Sequence, residues 1–336
     1  MVTVSLLLAT LVVAFLLTGA LRRYALRADL MDIPNNRSSH EVPTPRGGGL
    51  AIVVVSLVGL VTLGLWSAVS ITGFLALGVG GAAVAGIGWL DDHRDVPARW
   101  RLLVHLVAAA WVVALAGGAP ALALPGVSWD WGWLGAIVLV LFIAWMLNLY
   151  NFMDGIDGIA GIEAITVAGP AAAMLWWLGA SGWASVAALM AVATLGFLAW
   201  NWPPAKIFMG DAGSGFIGFM LAALAVLTWA DAGLSIWAWL ILLGVFIVDA
   251  TITLVRRVMR GERFYEAHRS HAYQHASRYY DRHLPVTVAV GVINLLWLTP
   301  LAVTAAFLPA WGVVLLLVAW LPIVLACLRF DAGLPD

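Results

Sequence analysis

Apolar runs long enough to cross a membrane recur along almost the whole chain, separated by short polar connections. A crossing helix needs about 20 such residues. Eleven runs are legible, near 2–21, 47–66, 71–90, 102–118, 132–150, 162–179, 183–201, 214–230, 236–255, 286–307 and 311–328. The pattern predicts an all-α polytopic membrane protein with about 11 transmembrane helices. The count falls to 10 if one of the tight hairpins near 67–70, 181–182 or 309 does not turn. Nothing marks a soluble domain or a repeat, so residues 1–336 read as a single integral membrane domain.

The polar positions form a second pattern. Eleven crossings leave the termini on opposite sides. One side then holds 22–46, 91–101, 151–161, 202–213, 256–285 and the C-terminus, which together carry all 17 Lys and Arg residues. The opposite connections, 67–70, 119–131, 180–182, 231–235 and 308–310, carry none and are short and bland. Loops rich in Lys and Arg stay in the cytoplasm, so the C-terminus is expected inside and the N-terminus outside. Tryptophans near both sets of boundaries agree, because their rings favour the membrane interface.

Composition narrows the class. Hydrophobic residues make up 63% and charged residues 10% of the chain, against about a quarter charged in soluble domains. A net charge of −1 argues against nucleic acid or another polyanion as partner. Cys327 is the single cysteine, which excludes an internal disulfide. The first run has no basic segment before it and Arg22, Arg23 and Arg27 after it, so it reads as a retained span. Gly78, Gly80, Gly81, Gly86 and Gly88 suit close helix packing better than a phosphate-binding loop.

Chemistry gathers in the basic-side loops. Asp91-Asp92-His93-Arg94-Asp95 places two carboxylates side by side, which repel unless a cation or proton relieves them. They are either a solvated helix end paired with Arg94 or a metal or base site. Asn148, Asn151, Asp154 and Asp157 recur every three residues and would share one helical face. That loop has no basic residue, so a divalent cation or a distant Arg must balance its acids, unless it is a solvated Gly-rich turn. Asp211 follows Lys206 and precedes Ser214. It reads as a helix cap or a metal ligand, and Lys206 as a phosphate contact. His268, His271 and His275 would share a helical face in the long basic loop. Without an acid or Cys partner at fixed spacing, phosphate suits them better than zinc, the plainer alternative being contact with anionic lipid. Asp249 lies about two turns inside a span and is either functional or a structural polar group. His105 reads as a satisfied packing residue.

Acids without cations imply Mg²⁺ or a similar hard ion, and Arg, Lys and His beside them imply phosphate. Together they point to phosphoryl transfer, in which positioning and charge neutralisation dominate. A site at the bilayer surface allows one lipid and one cytosolic substrate.

The chain resembles the polyprenyl-phosphate N-acetylhexosamine-1-phosphate transferases, which include the O-antigen-initiating enzymes and phospho-N-acetylmuramoyl-pentapeptide transferase. The likeness rests on Ser39-His40 with Thr44-Pro45-Arg46-Gly47-Gly48-Gly49, Asp91-Asp92, Asn151-Phe-Met-Asp154-Gly-Ile-Asp157-Gly, Phe208-Met-Gly-Asp211-Ala-Gly-Ser214 and His268-Arg269-Ser-His271, in that order. It implies attack of undecaprenyl phosphate on a UDP-N-acetylhexosamine, with release of UMP. It implies Mg²⁺, or Mn²⁺ in its place, on Asp211 and Asp154. Asp91 would be the base or would orient the lipid phosphate, with Asp92 beside it. Asn151, Asp154 and Asp157 would hold nucleotide, metal or pyrophosphate, with Asn148 on the same face and Asn201 in the same pocket. His40, Arg46, Lys206, His268, Arg269 and His271 would bind substrate. The resemblance further implies the bacterial inner membrane, a periplasmic N-terminus, an active site facing the cytoplasm, and a homodimer as a common family state. The muramoyl-pentapeptide branch typically carries three consecutive histidines, whereas here the segment reads His268-Arg-Ser-His271. That favours the O-antigen-initiating branch. A transporter is the rival class, and it would place its polar groups near the midplane.

Overall fold

The computed structural model describes residues 2–34, 42–94, 96–262 and 268–335. His40 lies outside the described residues. Most of the chain is helical: α1 (Val2–Arg27), α2 (Leu50–Leu65), α3 (Ile71–His93), α4 (Ala98–Leu115), α5 (Gly132–Met153), α6 (Ile159–Trp177) and α7 (Ser181–Asn201). Then come α8 (Asp211–Ala232), α9 (Ile236–Leu242), α10 (Gly244–Met259), α11 (Ala272–Tyr279), α12 (Leu284–Ile293), α13 (Thr299–Phe307) and α14 (Gly312–Arg329). A single π turn, Asn294–Leu298, joins α12 to α13.

Among the described residues nine helical segments are long and apolar enough to span a membrane, or ten if α9 and α10 form one span bent by 73°. This is a polytopic membrane protein. Two of the eleven expected spans differ from a straight crossing. The segment 236–255 breaks at Leu243. The segment 47–66 yields α2, an apolar helix of 16 residues. It still joins the two ends of the bundle, because Gly49 packs on Gly213 at one end and Ala68 on Gly182 at the other.

The expectation of an all-α chain also needs correction. Strands β1 (Met31–Asp32) and β2 (Thr44–Pro45) pair antiparallel, with Asp32 opposite Thr44. Strands β3 (Leu122–Leu124) and β4 (Val127–Trp129) make a hairpin in the 119–131 connection, which is therefore not bland. Helices also overrun their apolar runs at the charged end: α3 reaches His93 and α8 starts at Asp211. Hydropathy stops at the first polar residue, whereas the backbone ladder continues until its geometry is broken.

The five basic-side loops and the C-terminus meet at one end. Arg46 Nη2 donates to Asp92 O at 2.8 Å, and Ala205 N–H to the Asp157 carboxylate at 2.9 Å. Tyr273 Oη donates to Phe152 O at 2.9 Å, and Gly333 N–H to Ser270 O at 2.7 Å. The connections without Lys or Arg meet at the other end, where Trp131 lies 6.3 Å from Trp229 between ring centroids. Charge sorted along the sequence is thus sorted in space.

At the centre runs α8, which is apolar all round and almost wholly buried, as such a helix must be. Small residues set its contacts. Gly80 and Gly81 of α3 face Phe219 and Phe216, and a Cβ on Gly88 would lie 2.8 Å from the Ala212 Cα and the Asp211 carbonyl. Gly86, by contrast, meets nothing within 4 Å. Gly88→Ala should push α3 off α8 and cost roughly 1–3 kcal/mol, as overpacking does. Thermal unfolding in detergent checks this, and an unchanged midpoint would show that the close approach is dispensable.

Candidate active site

The charged end encloses a polar cavity of about 340 Å³. Its walls start from helix ends. Asp92, in the last turn of α3, accepts hydrogen bonds from the Asp211 and Ala212 amides at 3.0 and 3.1 Å. These are unsatisfied donors of the α8 N-terminus, which favours a carboxylate. Segment 45–49 runs beside 208–209, with Gly48 N–H on Phe208 O at 2.9 Å and Gly49 N–H on Met209 O at 2.8 Å. That pairing brings Arg46 to the cavity rim beside Asp92.

The expected helical face of Asn148, Asn151, Asp154 and Asp157 is cut short, because α5 stops at Met153. Asp154 is the cap residue, and Gly158 takes a left-handed conformation (φ 76°) that starts α6. Asn151, still on α5, donates to the Asp211 carboxylate at 3.3 Å and accepts from Ser214 Oγ at 2.8 Å. Asp157 accepts from Ala205 N–H, and its carboxylate lies 3.3 Å from His283 Nδ1. Asn201 is buried, accepting from Gly158 N–H and donating to Ile207 O, each at 2.9 Å. It lines the cavity but spends both polar atoms bracing two loops.

Asp154 is the electrostatic outlier. Desolvation, then the neighbouring Asp211, Asp157 and Asp92 carboxylates, push its pKa well above the ordinary carboxylate range. Among the described residues no cation pairs with it. No three acids, histidines or cysteines among them stand at metal-cage spacing.

Other sequence candidates stand elsewhere. Asp91 does not line the polar cavity: it forms an ion pair with Arg101, whose Nη1 also lies 3.5 Å from the Asp211 carboxylate, and accepts from Val96 N–H at 3.0 Å. Its partner is thus Arg101 on α4, and among the described residues Arg94 makes no ion pair with it. Asp91 and Asn148 line a second space of about 610 Å³, an apolar groove between α3, α4 and α5. His105 lines it too, and its buried Nδ1 has no hydrogen-bond partner, so it is not the satisfied packing residue expected. The groove and the polar cavity share Asn151 and Asp211. Lys206 is exposed and sits over the Trp200 ring at 5.7 Å, outside the cavity lining. Arg269 lines an adjoining basic recess of about 770 Å³.

His268, His271 and His275 do not share a helical face, because α11 starts only at Ala272. His271 is buried against Asp249, which also accepts from the Ala272 and Tyr273 amides at 2.9 and 3.0 Å. Asp249 is therefore the anchor that ties the His268–Tyr273 arm to α10. Sequence reasoning missed Asp32, Gln274, His283 and Arg101. Asp32 reaches the cavity through the β1–β2 pairing, and Gln274 and His283 through the fold of the long loop. No short-range spacing announces any of them.

The structure is thus a helical membrane bundle with an acid-lined cavity at one end and an apolar groove that shares Asn151 and Asp211 with it. Residues 74–229 match the glycosyl transferase family 4. The chain is 29% identical over 268 residues to a probable undecaprenyl-phosphate N-acetylglucosaminyl 1-phosphate transferase of Bacillus subtilis, covering 79% of this chain and 74% of that protein. It is 31% identical over 244 residues to the decaprenyl-phosphate N-acetylglucosaminephosphotransferase of Mycobacterium tuberculosis, 64% of this chain and 58% of the other. It is 30% identical over 230 residues to the phospho-N-acetylmuramoyl-pentapeptide-transferase of Shouchella clausii, 63% and 68%. The chain belongs to glycosyl transferase family 4.

Asp249→Asn should leave buried amide donors of the arm poorly paired, at about 1–3 kcal/mol each. The arm should then be cut faster by protease within 268–273 while α8 stays protected. Equal cleavage of wild type and variant would remove Asp249 as the anchor.

Proposed function

We propose that this protein transfers N-acetylhexosamine 1-phosphate from a UDP-sugar to undecaprenyl phosphate, starting a surface polysaccharide such as O-antigen. The observation that carries the reading is the shared wall: Asn151 and Asp211 border both the acid cavity and the apolar groove. A phosphate on an isoprenoid tail lying in the groove would meet a nucleotide diphosphate in the cavity at those residues. The names of the Bacillus and Mycobacterium relatives support a polyprenyl phosphate as acceptor.

In this reading a lipid phosphate oxygen attacks the β-phosphorus of the UDP-sugar. The bond from that phosphorus to the bridging oxygen breaks, and UMP leaves with the oxygen. The lipid phosphate is already largely ionised near neutral pH, so Asp91 need not be a strong base. Paired with Arg101, it is better suited to orient the phosphate at the groove mouth. Arg46 would face the nucleotide phosphates, and Arg269 and His268 the sugar end.

The donor set fits Mg²⁺, which takes one or two carboxylates and keeps places for phosphate and water. Asp154 and Asp211 would hold it, with Mn²⁺ able to substitute. Bound, the ion would neutralise charge developing on the pyrophosphate. The basic-side loops are assigned to the cytoplasm and the N-terminus to the periplasm of a bacterial inner membrane, because every Lys and Arg falls on that side.

Purified protein should release UMP from a UDP-N-acetylhexosamine only with a polyprenyl phosphate and Mg²⁺ present, and Asp211→Asn should abolish turnover while keeping the fold. A panel including UDP-N-acetylglucosamine, its 6-deoxy relatives and UDP-N-acetylmuramoyl-pentapeptide separates the branches. No UMP from any member would sink the enzyme class.

The raised Asp154 pKa gives a second test. A carboxyl whose folded pKa exceeds its unfolded one holds a proton that the unfolded chain releases, so metal-free stability falls as pH rises through that window. A cation displaces the proton. Mg²⁺ should therefore raise the Tm more at pH 8 than at pH 5, and Asp154→Asn should lose that increment. A pH-independent shift retained in Asp154→Asn would move the ion elsewhere.

A further inference from the structure

One buried side chain outside the expected set touches the acid loop directly. Tyr273, 4% exposed at the start of α11, donates its hydroxyl to Phe152 O at 2.9 Å. Phe152 is in the last turn of α5, where carbonyls have no helical partner. The next residue but one is Asp154. The same hydroxyl lies so close to Gly155 that a Cβ there would collide with it. From the other side the Tyr273 backbone N–H is held by Asp249, and its ring stacks on His271 at 5.6 Å between centroids. Burial, then the Asp249 and Asp154 charges, push the phenol pKa further up, so the group stays a donor.

Two segments far apart in sequence therefore meet at this hydroxyl, with the Gln274 side chain beside it. On the acid-loop side only glycine leaves room for it. The bond spans the α5 end and the arm bearing His268 and Arg269, so it sets the separation between the acids and the basic arm.

Resting on the function proposed above, we infer that Tyr273 is a positioning residue, a latch whose hydroxyl holds the Asp154–Gly155 turn at the working distance from the His268–His271 arm. It touches no substrate in this role. It acts through the backbone of the turn that carries Asp154.

The test uses full-length protein in detergent and three variants, Tyr273→Phe, Gly155→Ala and the double variant. Tyr273→Phe keeps the ring and removes one donor. Hydrogen exchange of the peptide covering 152–158 should quicken at least 5-fold, with exchange within α8 unchanged. Mn²⁺ affinity, read by electron paramagnetic resonance, should weaken at least 5-fold. In turnover kcat should fall about 10-fold while the KM for the UDP-sugar moves less than 3-fold. Gly155→Ala should lose at least 100-fold in kcat, because its methyl meets the hydroxyl. With the oxygen gone, the nearest ring atom to that methyl is Cζ at 3.1 Å, a distance small side-chain shifts relieve. The double variant should thus exchange more slowly than Gly155→Ala over 152–158 and recover at least 10-fold in kcat. Wild-type exchange and Mn²⁺ affinity in Tyr273→Phe would overturn the latch whether or not UMP is formed. So would a double variant no better than Gly155→Ala by exchange. If the wild type makes no UMP while Tyr273→Phe still shows the exchange and Mn²⁺ changes, the latch stands and only the proposed reaction is removed.

Discussion

The carboxylate of Asp92 on the first amides of α8 is the interaction on which the rest of the site depends. Helix α8 is the buried axle of the bundle, and its N-terminus opens into the polar cavity. Unsatisfied amides there would be costly in a desolvated setting. Asp92 satisfies two of them from α3, and the bare backbone of Gly88 lets α3 come close enough to do so. The position of Asp211, the first residue of α8, follows from that contact.

Around this cap the protein tolerates an electrostatic imbalance. Asp154, Asp157 and Asp211 border one small cavity. Arg101 is shared between Asp91 and Asp211, His283 lies beside Asp157 and Lys206 lies over Trp200, which leaves Asp154 without a cationic partner among the described residues. The chain folds with this repulsion because helix ends and two asparagines brace the segments that carry the acids: Asn151 bonds Asp211, and the buried Asn201 ties Gly158 to Ile207.

The same packing brings two solvents to one wall. One side of that wall is an apolar groove and the other a polar cavity, and Asn151 with Asp211 belongs to both. Anchoring of the basic arm by Asp249 and Tyr273 closes the third side.

Sequence alone was enough for the membrane class, the sorting of the Lys and Arg of the described residues to one end, and most of the acid and amide residues of the cavity. Each follows from local physics: apolar length matches bilayer thickness, and acids without a local countercharge must share something. It read less well where a side chain's role is set by what faces it. Asp91 and Asp92 are neighbours of the same type, yet one pairs with Arg101 and the other caps α8. The His268–His275 spacing suggested a helix that begins only at Ala272, and the Asn148–Asp157 spacing a helix that ends at Met153. Asp32, His283 and Tyr273 had no local signal. Only the tertiary structure decided these, because a carboxylate, an imidazole or a phenol takes its role from the donor, charge or backbone that long-range packing sets within a few ångströms of it.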